Sequence, residues 1–218
     1  MGINRRKYSA DDEEYEEYID YPATYSNVHQ SLLKDRIVFV TEDITVDLAS
    51  RITAVLIYLD TQNQEPITMY INSQGGEIEG FMQIYDTMHL IKSPIKTICL
   101  GEASSCAAMI LVSGTPGMRF ATQNSRIMIH QIWVESSGGC QTGTELAIES
   151  KNINDLKKKM TVLIARHSGQ NYETVYNDCE HDCYFSAQEA KKYGLVDDIL
   201  KPHKDIPKLK KVKKVKAK

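Results

Sequence analysis

From Arg36 onward, short apolar or β-branched runs alternate with longer segments whose apolar residues recur at helical spacing. That alternation is the signature of strand–helix units feeding a largely buried sheet. RIVFVTE reads as the first strand. In ITVDLASRITAVLIYLDTQ, the residues Val46, Leu48, Ala49, Ile52, Val55 and Leu56 fall near helical spacing, and Pro66 lies where that helix must already have ended. PITMYINS is a second strand, Ser73-Gln74-Gly75-Gly76 a turn, and the segment from Ile78 to Leu90 a second helix that stops at Ser93-Pro94. IKTICLG, closed by Gly101, is a third strand, and SSCAAMILVSG a compact apolar helix. MRFATQ and RIMIHQ are two further strands beyond the turn Gly114-Thr115-Pro116-Gly117.

Between Gln131 and Gly143 the pattern is turn-rich, and Thr144 then caps a long amphipathic run, ELAIESKNINDLKKKMTVLIARHSG. Its apolar stripe, from Leu146 through Ile153, Leu156 and Met160 to Ile164, is longer than one small domain covers, which points to a partner helix from another subunit. NYETVYNDC and SAQEAKKYG are short helices and LVDDIL the last strand. The fold class is therefore α/β.

Composition adds boundaries. At 218 residues and 42% hydrophobic, the chain fits one domain with tails. Residues 1–27 form an acidic, tyrosine-rich segment expected to be flexible, 28–200 the domain, and 201–218 a lysine-rich tail expected to be disordered. A net charge of −3 gives no overall pull toward nucleic acid or anionic membrane. No run approaches the roughly 18 apolar residues of a membrane helix, and no export signal is visible, so a cytoplasmic protein is expected. The 5 cysteines, an odd number in that setting, fit reduced thiols better than a disulfide framework. Cys179-Glu180-His181-Asp182-Cys183 crowds metal-ligand types together but lacks the second pair a closed zinc site needs, so neither metal nor organic cofactor is expected.

Nucleophilic catalysis by serine needs a hydroxyl on a tight exposed turn, N–H groups aimed at an oxyanion, and an imidazole to take the proton. Ser105, between a strand and an apolar helix, satisfies the first, with the Cys106 N–H as one oxyanion donor. Gly75-Gly76 makes a second strand-to-helix turn, and the Gly76 N–H is the natural second donor. His130 ends an apolar strand, and Asp182 precedes Tyr184-Phe185-Ser186. Each alone has an ordinary explanation: a helix cap, a plain turn, a satisfied histidine, a loop acid. Together they supply every role that acylation and deacylation require, in the chain order Ser, His, Asp. That order and the absence of G-x-S-x-G exclude chymotrypsin, subtilisin and α/β-hydrolase relatives.

INSQGGEIEGFMQIYDTMHLIKS, TICLGEASSCAAMILVSGT, NSRIMIHQ, SGGCQTGTELAIESKNI and YFSAQEAKKYGLVDDIL resemble successive signature blocks of ClpP, the proteolytic subunit of the Clp protease, over residues 28–200. The resemblance implies a crotonase-like β/α spiral with a protruding handle helix. It puts Ser105, His130 and Asp182 on the family's catalytic triad, and Gly76 and Cys106 on its oxyanion donors. It further implies a homo-oligomer of stacked heptameric rings, fed with unfolded protein or peptide substrates by an AAA+ unfoldase, acting as an ATP-dependent serine endopeptidase. There are departures. Gln74 replaces a proline, Cys106-Ala107 replaces Met-Gly, and Ile132 with the residues through Ser137 replaces a single proline. His181 stands where an arginine usually pairs across the ring junction, and the acidic stretch Asp11–Tyr25 replaces an apolar axial loop. Thr68 and Thr122 stand where larger apolar residues form the ATPase-docking pocket, which weakens an anchor-based interaction. Two alternatives keep the fold and change the role: a phage head maturation protease, and a non-catalytic ring scaffold.

Overall fold

The computed structural model describes residues 21–133 and 142–202, with side chains from Val28 onward. These fall into two units, one ending at Asp35 and one beginning at Arg36. The first contributes helix α1 (Tyr21–Lys34), which the sequence reading did not anticipate. Residues 1–20 of the acidic segment and 203–218 of the lysine-rich tail lie outside the described residues, and residues 21–27 form the first half of α1.

In the second unit the elements run β1 (Ile37–Val40), α2 (Val46–Gln62), β2 (Ile67–Ser73), α3 (Ile78–Leu90), β3 (Ile95–Ser104), α4 (Cys106–Val112), β4 (Arg119–Thr122) and β5 (Arg126–Ile129). They continue as α5 (Gly143–Ser168), α6 (Tyr172–Asp178), β6 (Cys183–Ser186), α7 (Ala187–Tyr193) and β7 (Asp198–Leu200). The seven strands form one sheet in the order β1-β2-β3-β4-β7, all parallel, with β5 parallel to β3 and β6 antiparallel to β5. This is the expected α/β architecture. Its core lies between the sheet, where Val40, Ile67, Met69, Ile71 and Cys99 are fully buried, and helices α2, α3 and α4. Every residue of α4 is buried, as a helix apolar on all sides requires.

Strand β3 carries the architecture of the site. It does not end at Gly101, as the sequence suggested, but continues to Ser104 with Gly101 at φ +87°. Between two paired positions, Ile71 opposite Cys99 and Ser73 opposite Ala103, one residue of β2 then faces three of β3. The Asn72 Oδ1 accepts the Glu102 N–H at 3.1 Å and fills the space a Cβ on Gly101 would take. The bulge lets one strand serve two neighbours. Its first half pairs with β4 at Thr97–Cys99, and its second half with β5 at Glu102–Ser104.

Helix α5 begins one turn feature earlier than expected. Thr142, not Thr144, is the N-cap, and Thr142 with Glu145 completes a capping box. Its 26 residues are anchored at the C-terminal end by buried Met160, Leu163 and Ile164, whereas Leu146 and Ile148 near its start are 52% and 57% exposed. This is the protruding handle. No helix among the described residues is long and apolar enough to cross a membrane.

The anchored end of α5 contains a proton-sensitive group. Nε2 of His167 lies 3.0 Å from the Tyr85 hydroxyl, and its ring packs against His89, with Arg119 and Arg166 nearby. Burial first, then the positive charge of these neighbours, pulls His167 down from 6.5 to about 4. The unfolded chain therefore takes up this proton at a higher pH than the folded one, so its contribution to stability is complete above 6.5 and is lost as pH falls toward about 4. Urea unfolding across that range is expected to show a smaller loss of stability for His167→Gln than for the wild type; equal losses contradict this.

Candidate active site

Ser105 joins the end of β3 to the start of α4 with φ +54° and ψ −125°, a conformation rare for a residue with a Cβ. Its N–H donates to the Met128 carbonyl at 2.9 Å, so the neighbouring strand β5 holds the turn. Although Ser105 occupies the N-cap position of α4, its side chain caps nothing. Its Oγ lies instead 2.8 Å from Nε2 of His130. The ordinary explanation of the Ser-Ser pair, a helix cap, is thereby replaced by a serine–imidazole pair.

The glycine turn packs directly on this elbow. A Cβ on Gly75 would fall 2.7 Å from that of Ser105, and one on Gly76 would fall 2.4 Å from the Ile44 carbonyl oxygen, so neither position admits a side chain. Gly76 forms a parallel bridge with Ile44 in which Gly75 supplies the carbonyl and Glu77 the N–H, at 2.7 Å each. The Gly76 carbonyl faces the other side, toward Cys106. There the Cys106 thiol donates to the Gly76 carbonyl at 3.3 Å. Burial pushes that thiol up to about 11, and hydrogen bonding to Ser105 and Gly76 only partly opposes it. Cys106 is thus a neutral donor at ordinary pH and ties the two backbone positions together.

His130 follows β5 directly, and its side chain is only 15% exposed. Nδ1 lies 3.3 Å from Oδ1 of Asp182. That separation is an ion-pair distance, yet buried Nδ1 has no hydrogen-bond partner. A carboxylate orients a histidine only when it accepts an aligned N–H, and that bond is not made here. Asp182 is 47% exposed, and its other oxygen accepts from the Tyr184 hydroxyl at 3.4 Å. The guanidinium of Arg126 sits 3.8 Å above the Tyr184 ring. All three side chains singled out from the sequence meet, with the serine–histidine link tight and the histidine–aspartate link loose.

The sequence model of the Clp protease family matches residues 22–203. The chain belongs to the Clp protease family. It is accordingly a serine peptidase.

In this Clp protease the loop that carries Asp182 is tied down by residues the sequence reading did not identify. Gln131 donates its backbone N–H to the Cys179 carbonyl at 2.6 Å and its side-chain amide to the Glu180 carbonyl at 2.9 Å. Glu180 in turn reaches Lys157 of the handle helix at 2.6 Å, and Lys157 also donates to the Tyr176 hydroxyl at 3.2 Å. Hydrogen bonding to Glu180 raises Lys157 above its ordinary value, and the same bond lowers Glu180. Nothing in the sequence pattern singles out Lys157, which reads as one solvated lysine among three in a row. The cysteine-rich run of the same loop does not converge. Cys179 is buried, Glu180 turns to Lys157 and Asp182 to His130, and no group of three possible metal ligands forms among the described residues.

This network ties the loop that carries Asp182 to the handle helix through Glu180 and Lys157, so Lys157 is expected to act as a positioning residue for Asp182. Lys157→Met is expected to lower kcat on a short peptide about tenfold, near the worth of one charged hydrogen bond, while KM moves little. Lys157→Arg should recover most of the loss in the same steady-state assay. A change confined to KM would contradict the assignment.

Proposed function

We propose that the chain is the proteolytic subunit of a self-compartmentalised serine endopeptidase that cleaves unfolded proteins or peptides in the cytoplasm, with Ser105 as nucleophile, His130 as general base and Asp182 as its partner. The observation that carries this is the 2.8 Å approach of Ser105 Oγ to His130 Nε2 on a backbone turn held at φ +54°.

In the proposed cycle, Ser105 Oγ attacks the scissile carbonyl carbon as its proton passes to Nε2 of His130. The negative charge that develops on the carbonyl oxygen is met by the N–H groups of Gly76 and Cys106. Asp182 stabilises the resulting imidazolium once its carboxylate aligns with Nδ1. His130 returns the proton to the leaving amine and the C–N bond breaks, leaving an acyl ester on Ser105. Water then attacks the ester, giving a proton to His130; the bond to Ser105 Oγ breaks as His130 returns that proton to Oγ, and the acid product departs.

Assembly into stacked heptameric rings is part of the reading. The exposed Leu146 and Ile148 on the handle supply apolar surface that a second copy would cover. Feeding by an AAA+ unfoldase, and with it ATP dependence, follows the family pattern. Thr68 and Thr122, both half-buried on β2 and β4, make the docking surface less apolar than that pattern. A second reading, a ring scaffold without catalysis, draws on one observation, the unaligned Asp182. Nothing in the described residues favours the capsid-maturation alternative.

A fluorophosphonate serine probe separates the two readings. The assembled wild type is expected to be labelled and Ser105→Ala not; an assembled wild type that resists the probe would support the scaffold.

A further inference from the structure

Each of the two peptide groups that meet at Gly76 is held at one end by Ile44. The Ile44 N–H donates to the Gly75 carbonyl and the Glu77 N–H to the Ile44 carbonyl, at 2.7 Å each. The described residues contain no cis peptide bond, and in a trans peptide the N–H and C=O point in opposite directions. The other ends of both groups, the Gly76 N–H and the Gly76 carbonyl, therefore face away from Ile44. The N–H is the one assigned above to the oxyanion. The carbonyl is met by the Cys106 thiol, which donates to it at 3.3 Å.

The two halves of the proposed oxyanion hole differ in stiffness. Cys106 opens α4, whose residues are all buried and where the Met109 N–H donates to the Ser105 carbonyl at 3.1 Å. Its own N–H is fixed with that helix. The Gly76 N–H comes instead from two consecutive glycines, at φ +111° and +147°, and glycine is the residue least restrained by its own sterics. An oxyanion gains full stabilisation only when its donors keep hydrogen-bond distance from the position it comes to occupy. The peptide plane that follows Gly76 is clamped at both ends, by Ile44 and by Cys106, and that clamp limits the rotation available at Gly76.

The thiol suits this role. Cys106 is 5% exposed, and burial raises it to about 11, so it keeps its proton at neutral pH. The methionine that the family resemblance places here has no side-chain proton to donate. We infer that the Cys106 side chain is a positioning residue: its S–H bond to the Gly76 carbonyl fixes the glycine turn against the nucleophile elbow, so that the Gly76 and Cys106 N–H groups converge on one oxyanion. The inference rests on the assignment of Ser105 as nucleophile and of these two N–H groups as oxyanion donors.

The test uses the full-length assembled protein and one fluorogenic peptide. Cys106→Ala removes the donor, and Cys106→Ser keeps one in a side chain of nearly the same size. Cys106→Ala is expected to lower kcat about fivefold, the scale of one lost hydrogen bond, with KM nearly unchanged, and Cys106→Ser to recover most of it. Should the smaller pair fail to assemble, Cys106→Val and Cys106→Thr make the same comparison with two branched side chains that differ in the hydroxyl. A second readout isolates the oxyanion. Ser105 Oγ adds to the carbon of a peptide aldehyde, giving a hemiacetal whose oxygen stands in for that of the transition state, and the aldehyde Ki should rise in Cys106→Ala by the factor by which kcat falls. The uncleaved peptide should bind Ser105→Ala with the same Kd whether or not Cys106→Ala is added. Equal kcat in the donor and non-donor members of a pair, or an aldehyde Ki that does not move, overturns the inference. A wild type that takes no fluorophosphonate and cleaves no peptide removes the parent assignment; one that does both while the pair stays equal refutes only the role of the thiol.

Discussion

The site depends on one constrained residue, Ser105, whose backbone is held at a positive φ where a β-carbon is normally unwelcome. Such a conformation costs about 1–3 kcal/mol and persists only where the surroundings over-determine it. Three do so here. The Ser105 N–H is bonded to β5 through the Met128 carbonyl, α4 behind it is wholly buried, and the Gly75-Gly76 turn closes on its Cβ with no room for a side chain. The fold exists, in this sense, to lift one hydroxyl out of the strand–helix junction and aim it at an imidazole.

The bulge in β3 is what makes this possible. Because Gly101 turns the strand without ending it, the lower half of β3 completes the main sheet with β4 while the upper half recruits β5. His130 lies one residue past β5 and Ser105 one residue past β3, so the parallel pairing of Ser104 with Met128 sets their separation. Strand β6 then runs antiparallel to β5, with Ile129 opposite Cys183, which delivers Asp182 to the far side of the imidazole. The serine and histidine are positioned by sheet register. The aspartate is positioned by a loop, and its looser geometry reflects that difference. Its ties run to the handle helix through Glu180 and Lys157, the element that also exposes apolar surface, so alignment of Asp182 and the state of the handle share a physical connection.

The α/β architecture was legible from residue patterns, because strand–helix alternation leaves a local mark, whereas Ser105, His130 and Asp182 stood out only in combination. The errors are equally local. Gly101 looked like a strand end because a glycine at positive φ often is one; only the opposing Asn72 turns it into a bulge. The true cap of α5 was available in the spacing, since Thr142-Gly143-Thr144-Glu145 places a glutamate three residues after Thr142 and not after Thr144. Strand β6 left little signal, because four residues leading into a helix acquire strand character only from the partner they meet. Gln131, Lys157 and Tyr184 act through contacts 2 to 49 residues away along the chain and resemble any other polar surface residue until the loop is folded.

The central claim, that the elbow makes Ser105 and not its neighbour Ser104 the reactive hydroxyl through His130, is tested most directly by mapping a phosphonate adduct to its residue by peptide mass spectrometry in the assembled protein. A single adduct on Ser105, largely abolished by His130→Ala, is expected. An adduct on Ser104, or one on Ser105 that forms equally well without His130, would contradict it.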